Sequence, residues 1–410
     1  MHYVIIGNST AAVGCIEGIR QADRAGRITV IAAEPWHTYS RPLISYLLQG
    51  KVNEEQMKYR PDDFYRANGC ETLLGHGVEA IDPAAKKLRL RGGRVVAYDR
   101  LLAATGSRPW TPPLEGLDSV PHKFTFMSLD DAHALAAALE PGGKRVFILG
   151  AGLIGLKCAE GLSGRVQSLT VADLAPRILP SILDEEGSAI VREHIEARGV
   201  VFHLGQSVAR FDGNKAVLTS GATVEFDLLV LAVGVRPNTD LVREAGGRVE
   251  RGIVTDARGQ TTLPDVYSAG DCVESWDITA GESRVLAVLP GAYRQGECAG
   301  LNMAGGDKEI KDAFPLNAIG FFGLHLVTAG SYAGEDYMRR SGQNYKRLVY
   351  ADDRLKGFIL IGAVERSGIY AALIRRQTPL SSIDFELIKE KPQLMAFSRQ
   401  ERARQLGGRV

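Results

Sequence analysis

Residues 146–155 read Val146-Phe147-Ile148-Leu149-Gly150-Ala151-Gly152-Leu153-Ile154-Gly155, an apolar run followed at once by three spaced glycines. A second apolar run, Leu169 to Ala172, leads directly to Asp173. A strand, a glycine turn, a helix and a second strand ending in an acid make a βαβ unit that binds a dinucleotide. The glycines let backbone N–H groups and the helix N-terminus face the pyrophosphate. We therefore predict a dinucleotide site with the contact residues Gly150, Gly152, Ile154, Gly155 and Asp173.

The same order of features stands at the N-terminus, in a weaker form. The segment reads Val4-Ile5-Ile6-Gly7-Asn8-Ser9-Thr10-Ala11-Ala12, and the strand from Ile28 to Ala32 leads to Glu34. Ser9 replaces the middle glycine and Ala12 replaces the last one. Alone, such a segment is also typical of an ordinary tight turn. Two copies, each followed by an acid, predict that two dinucleotides bind to one chain.

Pro- and Gly-rich segments at residues 107–113 and 235–238 mark the boundaries between domains. The second βαβ unit lies between them and is predicted to be inserted into the first. Residues 262–271 are predicted to return as a strand that completes the first sheet. We expect an α/β fold with two doubly wound domains and a small mixed α+β C-terminal domain. The predicted boundaries are 1–112 with 238–310, then 113–237, then 311–410.

Charge and composition argue against some classes of protein. The chain has 410 residues, a formal charge of +1, 45% hydrophobic and 24% charged residues. This balance argues against steering toward nucleic acid. The sequence shows no basic leader and no apolar run near the ~20 residues that span a bilayer. We expect a cytoplasmic protein without a membrane span.

The five cysteines are widely spaced, at positions 15, 70, 158, 272 and 298. This spacing offers neither a disulfide framework nor a C-x-x-C pair, and it disfavours a metal site. Cys15 and Cys158 are predicted to be small apolar residues on helices that pack against a sheet.

Several further motifs carry a resemblance to a known family. They are Tyr39-Ser40-Arg41-Pro42, Ala104-Thr105-Gly106-Ser107-Arg108-Pro109, Ala232-Val233-Gly234-Val235-Arg236-Pro237 and Ser268-Ala269-Gly270-Asp271. With the two glycine turns they resemble the two-dinucleotide-binding flavoproteins, the pyridine nucleotide-disulfide oxidoreductase family. Within it the chain is most similar to NADH:rubredoxin reductases, the flavin region of nitrite reductases and FAD subunits such as that of phenylglyoxylate dehydrogenase. The resemblance covers essentially the whole chain.

The resemblance implies FAD in the first site and NAD(P)H in the second. It assigns Glu34 to the adenosine ribose, and Asp271 to the ribityl hydroxyls. The alternative for Asp271 is a helix N-cap. Leu289 would begin a helix directed at the flavin. The other implied contacts of the two cofactors are Gly7, Ser9, Ala12, Arg41, Pro42, Val78, Thr105, Gly106 and Gly234.

Asp173 favours NADH, because a carboxylate accepts from both ribose hydroxyls and repels the 2′-phosphate of NADPH. Arg177 leaves an alternative open, since it is either a solvated surface residue or a partner for that phosphate.

Relatives that reduce disulfides or peroxides carry cysteine shortly after the Tyr-Ser-Arg-Pro motif. Here residues 43–50 contain no sulfur. Activities that need a thiolate beside the flavin are therefore not expected. The remaining prediction is electron transfer from NADH through FAD to an iron centre or another flavin.

Lys157 stands where most relatives carry a glutamate, and Tyr46 stands where its lysine partner is expected. We hypothesise that Lys157 supplies the missing cation near the flavin while Tyr46 fills the vacated volume. The alternative is that Lys157 extends along its helix into solvent.

Two C-terminal features allow two interpretations each. Phe321 and Phe322 either border the flavin or pack in a core. The basic residues Lys389, Lys391, Arg399, Arg402, Arg404 and Arg409 either form a solvated terminus or dock an acidic rubredoxin, ferredoxin or iron–sulfur subunit.

Three functions remain open at this point. The first is an NADH:acceptor oxidoreductase that serves a diffusing rubredoxin-type or iron–sulfur carrier. The second is an FAD/NADH electron-transfer subunit of a larger iron–sulfur complex, in a hetero-oligomer or homo-oligomer. The third is an NADH-binding flavoprotein that senses redox state.

Overall fold

The computed structural model describes residues 1–406. The helices are α1 Thr10–Ala22, α2 Ile44–Leu48, α3 Glu54–Met57, α4 Phe64–Ala67, α5 Leu129–Ala138, α6 Leu153–Leu162, α7 Glu185–Glu196, α8 Asp240–Glu244, α9 Leu289–Met303, α10 Ser367–Arg376, α11 Phe385–Glu390 and α12 Arg399–Leu406. The strands are β1 His2–Ile6, β2 Arg27–Ala32, β3 Cys70–Leu74, β4 Val78–Asp82, β5 Lys87–Leu90, β6 Val95–Ala97, β7 Arg100–Ala103, β8 Ser107–Pro109, β9 Lys123–Phe124, β10 Arg145–Leu149, β11 Ser168–Asp173, β12 Val200–Leu204, β13 Val208–Asp212, β14 Lys215–Leu218, β15 Thr223–Glu225, β16 Leu228–Leu231, β17 Val235–Pro237, β18 Ile253–Val254, β19 Val266–Ser268, β20 Val273–Asp277, β21 Glu282–Val285, β22 Leu316–Phe321, β23 Leu324–Gly330, β24 Glu335–Ser341, β25 Asn344–Ala351 and β26 Arg354–Ile361.

These elements form two compact units. The first comprises Met1–Pro176, Gly199–Ser275 and Ser283–Lys311, and it contains both predicted dinucleotide turns. The second comprises Arg177–Arg198, Trp276–Glu282 and the chain from Asp312 onward.

The first unit contains two parallel five-stranded sheets. One has the order β19-β7-β1-β2-β3 and the other the order β12-β11-β10-β16-β9. Strand β19 pairs in parallel with β7, with Val266 opposite Leu101. The returning strand thus completes the first sheet, and the predicted α/β fold is confirmed. Near-continuous apolar strands such as Val4 to Ile6 suit this architecture, because both faces of a parallel sheet are covered.

Helices α1 and α9 pack unusually closely on one side of the first sheet. A Cβ on Gly296 would lie 1.9 Å from the carbonyl oxygen of Ala11, and one on Gly18 would lie 2.2 Å from that of Glu297. Only glycine fits at such an approach. The contact ties residues near the N-terminus to a helix almost 300 positions later.

The second unit contains an antiparallel sheet with the order β22-β23-β26-β25-β24. Its core joins Leu348 and Phe358 on the strands to Tyr370 and Ile374 on α10. This antiparallel sheet with its packed helix agrees with the small mixed α+β domain that the sequence predicts after about residue 311.

Candidate functional site

A cleft of about 560 Å³ opens at the carboxyl ends of the strands of the first sheet. It lies entirely within the first unit. Nine of the residues predicted to hold FAD line it: Gly7, Ser9, Glu34, Arg41, Val78, Thr105, Gly106, Asp271 and Leu289. Segments far apart in sequence therefore converge on one elongated cavity, as the rule for open α/β sheets requires.

The glycine that opens each turn is required by its backbone. Gly7 has φ +115°, and a Cβ there would lie 2.1 Å from the carbonyl oxygen of Ala104. Gly150 has φ +117°, and a Cβ there would lie 2.2 Å from that of Ala232. Both values exclude other residues, so each chain reversal depends on its glycine.

Asp271 offers the clearest ligand group in the cleft. Its carboxylate makes no hydrogen bond to any residue in the described range 1–406, and burial raises its pKa although Arg41 opposes the shift. An acceptor held without a partner in a cavity fits the hydroxyls of a ribityl chain. Asp271 and the glycine turn therefore fit FAD.

Gln295 was missed by the sequence analysis, and it supports the turn that presents Asp271. Its Oε1 accepts a hydrogen bond from the Gly270 N–H at 2.7 Å, while its amide donates to the Ser275 Oγ at 2.8 Å. The residue stands on α9, whose first residue, Leu289, reaches the cleft. No local sequence signal marks it, because the contact links α9 to a turn 25 residues earlier.

Glu34 lies in the cleft, but its carboxylate is already engaged. The Tyr39 hydroxyl donates to Oε2 at 2.7 Å, and the Arg41 guanidinium pairs with Oε1. Burial alone would lower the pKa of Arg41, but Tyr39, Glu34 and Asp271 raise it above its usual value. Glu34, Arg41 and Asp271 thus form one charge-coupled group along the cavity.

The second turn differs in what surrounds it. A Cβ on Gly152 would meet no atom within 4 Å, so this position faces open space where a phosphate can approach. Asp173 ends β11, and its carboxylate accepts from the N–H groups of Ala151 at 2.6 Å and Ala175 at 2.8 Å. It therefore closes the turn and keeps lone pairs for a ribose. Gly155 and Ile154 follow in the first turn of α6.

The remaining predicted contacts occupy other positions. Ala12 is buried in the core beneath α1. Pro42 and Gly234 are not among the residues that line the cleft, although Pro42 follows Arg41 directly. Arg177 belongs to the second unit, where its Nε is buried without a hydrogen-bond partner among residues 1–406.

Lys157 and Tyr46 meet, and a third residue joins them. The Lys157 ammonium lies 4.6 Å from the centroid of the Tyr46 ring and pairs with Glu160, one turn along α6. The side chains of Lys157 and Glu160 are only 13% and 6% exposed, so Lys157 does not extend into solvent. The Gln49 amide donates to the Glu160 carbonyl at 2.7 Å, which joins α2 to α6. Sequence analysis missed Glu160, although its spacing of three residues from Lys157 is the signal of a helical ion pair.

The cysteine environments oppose thiol chemistry. Burial raises the pKa of Cys15 and Cys158 far above the ordinary value, and that of Cys70 and Cys298 to about 11. None of the residues that line the cleft is a cysteine. A thiol with such a pKa is protonated at neutral pH and is a poor nucleophile.

A segment that the sequence analysis assigned to the second domain also lines this cleft. Thr125, Met127, Ser128 and Asp131 face the cavity. Ser128 and Asp131 form a capping box that begins α5, and the Met127 carbonyl accepts from Arg41 at 3.3 Å. The capping box is visible in the sequence, but its position over the cleft depends on tertiary structure.

The C-terminal predictions have mixed outcomes. Phe321 is fully buried in the second unit, which supports core packing. Phe322 has φ +51°, and its carbonyl accepts from the His194 ring at 3.1 Å. Among the basic residues, Lys389 pairs with Glu386 at 2.5 Å. The side chain of Arg404 and all of Arg409 lie outside the described residues.

Two kinds of feature are absent from residues 1–406. No helix between residues 1 and 406 has the length and hydropathy to cross a membrane. Within the same range, no group of three His, Cys, Asp or Glu side chains could hold a metal ion.

Two glycine turns on two parallel sheets, each followed by a carboxylate, define a protein that binds two dinucleotides. Residues 1–296 match the family model described as pyridine nucleotide-disulphide oxidoreductase. The chain belongs to this family, and the predictions of an FAD- and NADH-dependent oxidoreductase are confirmed.

Known relatives agree with this placement. The epsilon subunit of NADH-dependent phenylglyoxylate dehydrogenase from Aromatoleum evansii is 32% identical over 394 residues, which are 93% of this chain and 93% of that protein. A rubredoxin-NAD(+) reductase from Alcanivorax borkumensis is 33% identical over 277 residues, 66% of this chain and 72% of that protein.

Among solved structures, the covalent putidaredoxin reductase–putidaredoxin complex matches with a TM-score of 0.87 and 23% identity, over 100% of this chain and 99% of that chain. At this identity the likeness concerns the fold.

Proposed function

We propose that this protein is an NADH:acceptor oxidoreductase that passes electrons from FAD to an iron–sulfur or rubredoxin-type protein. The observation that carries the proposal is the cleft itself, which presents the unpartnered carboxylate of Asp271 and no cysteine. When bound, FAD supplies hydride acceptance and the release of electrons. A cleft without thiols fits an acceptor outside the protein.

The proposal also assigns a cofactor or a partner to each domain. FAD is assigned to residues 1–112 with 238–310, NADH to residues 113–237, and partner contacts to residues 311–410. Asp271, Glu34 and Arg41 would hold FAD, while Asp173 would hold the NADH ribose. Lys157, kept in place by Glu160 and stacked over Tyr46, would supply the positive charge beside the reacting rings.

An acceptor assay tests the proposed function. Purified protein with NADH is offered a rubredoxin, a ferredoxin, a disulfide and a peroxide at equal concentrations. We expect the iron proteins to be reduced much faster than the disulfide or the peroxide. Preferred turnover of the disulfide or the peroxide would reject the proposal.

A second candidate is a subunit of a larger iron–sulfur enzyme. It is favoured by the match to the phenylglyoxylate dehydrogenase epsilon subunit along 93% of both chains. Size-exclusion of the native protein separates the two candidates. A stable complex with other polypeptides supports the subunit, whereas a free flavoprotein with high turnover of a carrier supports the enzyme.

A further inference from the structure

The hairpin of β5 and β6 carries three arginines with different surroundings. Arg89 faces Glu79 at 3.6 Å, and Arg94 faces Glu71 at 3.6 Å. Arg91 has no carboxylate partner among residues 1–406, and it is the one of the three that lines the cleft. The three arginines lie within six residues of the same hairpin. Their different partners therefore reflect where each side chain lies and not the general charge of the region.

A backbone hydrogen bond holds Arg91 beside Gly77. Its N–H donates to the Gly77 carbonyl at 2.8 Å, beside the pairing of Val78 with Leu90. The guanidinium Nε and Cζ lie 4.0 Å from the point where a Cβ on Gly77 would stand. The guanidinium therefore lies beside Gly77, at the end of the cleft formed by residues 76–78.

This end of the cleft is opposite Asp271. The first sheet has β3, which leads to residues 76–78, at one edge, and β19, which leads to Asp271, at the other. Four inter-strand steps of about 4.8 Å make roughly 19 Å, a span that suits an extended dinucleotide. A ligand whose ribityl chain meets Asp271 has its adenosine half near Arg91.

We propose that Arg91 stacks its guanidinium on the purine ring of the adenosine half of the cofactor in the first site. The inference rests on the proposed placement of FAD in this cleft. A guanidinium is planar and weakly hydrated, and it stacks on aromatic faces in a way that the ammonium of lysine does not. Arg91 then acts on FAD and leaves FMN, which lacks the purine, untouched.

The test compares FAD with FMN. Deflavinated wild type, Arg91→Ala, Arg91→Lys and Arg94→Ala are titrated with each flavin, and the Kd is measured from quenching of flavin fluorescence. Arg91→Ala should weaken FAD binding about 3- to 10-fold, the scale of a partly desolvated cation–π contact, and change FMN binding less than about twofold. Arg91→Lys should recover little, and Arg94→Ala should bind both flavins as wild type does.

Three outcomes overturn the inference: unchanged FAD binding by Arg91→Ala, an equal loss for FAD and FMN, or full recovery by Arg91→Lys. The last would indicate a simple charge contact. Asp271→Asn serves as the reciprocal variant, because it should weaken both flavins. If wild type itself fails to take up FAD, the proposed function fails; if only the Arg91 contrast is missing, this inference alone fails.

Discussion

The two glycine turns share a backbone but keep it in place by different means. In each, the N–H of the opening glycine donates to the neighbouring strand: Gly7 to the Ile31 carbonyl at 2.8 Å, and Gly150 to that of Ala172 at 2.7 Å. The turns diverge after this point. A Cβ on Gly155 would lie 1.9 Å from the Gly150 carbonyl oxygen, whereas Ala12 carries a Cβ at the matching position of the first turn.

The residue after the opening glycine shows how each turn is stabilised. In the second turn, Asp173 accepts from the backbone of Ala151. In the first, Asn8 donates its side-chain amide to the Trp36 carbonyl at 3.0 Å and accepts from the Tyr65 hydroxyl at 2.6 Å. The opening glycine is therefore indispensable, while the later glycines can be replaced if side chains support the turn.

The largest expected effect comes from replacing the opening glycines. Gly150→Ala should retain FAD but lower kcat/KM for NADH by more than about 100-fold, because a positive φ and a backbone clash together cost several kcal/mol. Gly7→Ala should instead lose FAD. Flavin content and anaerobic reduction by NADH measure the two effects.

Gly368→Ala is the control for these variants, since a Cβ there would meet no atom within 4 Å. It should match wild type. A Gly150→Ala protein that reduces its flavin at the wild-type rate would show that the two turns do not divide the cofactors as proposed.

Asp271→Asn should weaken FAD binding by roughly 10- to 100-fold, the effect of losing a charged hydrogen bond. The variant should also make the flavin-free protein more stable at neutral pH. Burial raises the pKa of Asp271, so the ionised carboxylate disfavours the folded state above that raised pKa. The higher stability of the flavin-free variant relative to wild type should disappear as pH falls below the ordinary pKa of an aspartate.

Thermal unfolding of the flavin-free proteins across pH, with FAD titration at neutral pH, checks both parts. An Asp271→Asn protein that binds FAD as tightly as wild type would remove Asp271 from the site.

Asp173→Asn should reduce the preference for NADH over NADPH by about 10-fold or more, because it removes the charge that repels a 2′-phosphate. The amide oxygen can still accept from the Ala151 N–H, although the hydrogen bond from the Ala175 N–H is lost, so the turn should keep one of its two closing contacts. The ratio of kcat/KM for the two nucleotides is the measurement, with FAD content as the control. Wild-type preference for NADPH would contradict the assignment.

Removal of either charge of the Lys157–Glu160 pair should shift the flavin potential, in opposite directions for the two residues. Lys157→Met should lower the flavin potential and slow hydride transfer by roughly 3- to 10-fold, since a cation favours the electron-rich reduced ring. Glu160→Gln should raise the potential, and the double variant should lie near wild type because it removes both charges. FAD content should change little throughout.

Potentiometric titration and anaerobic stopped-flow provide these values. If Lys157→Met matches wild type in both rate and potential, the pair acts only in packing α2 against α6.

The smallest effect is expected from the cysteines. A variant with Ser or Ala at all five positions should keep NADH-dependent reduction of ferricyanide within about threefold, because no cysteine lines the cleft and burial raises the pKa of Cys15 and Cys158, which disfavours their thiolates. Loss of flavin reduction in a well-folded variant would assign a redox role to one of them.

The sequence predicted those parts of the molecule that depend on local pattern. The two glycine turns, the returning strand at Val266–Ser268 and the start of α9 at Leu289 all follow from spacing and strand composition. Asp271 and Glu34 were predicted because each ends a recognisable motif, and both line the cleft.

Residues that act through tertiary contacts could not be found in this way. Gln295 supports a turn from a distant helix, and residues 125–131 reach the cleft from the far side of a predicted boundary. Lys157 was singled out by its unusual identity, yet its ion-pair partner is Glu160, which the sequence analysis did not name. A single sequence shows which side chains are present, but the partner of each charge is decided by packing.

The close approach of α1 to α9 has a consequence for synthesis on the ribosome. Strands β1 to β3 emerge early, yet β19 and the glycine-bearing α9 are translated more than 190 residues after β3 ends at Leu74. The inserted sheet is complete once Leu231 has been translated, before the first sheet can close. While the insert is translated, the N-terminal sheet lacks β19 and the covering helix α9, and such unpaired strand edges and exposed apolar surface favour aggregation of the nascent chain.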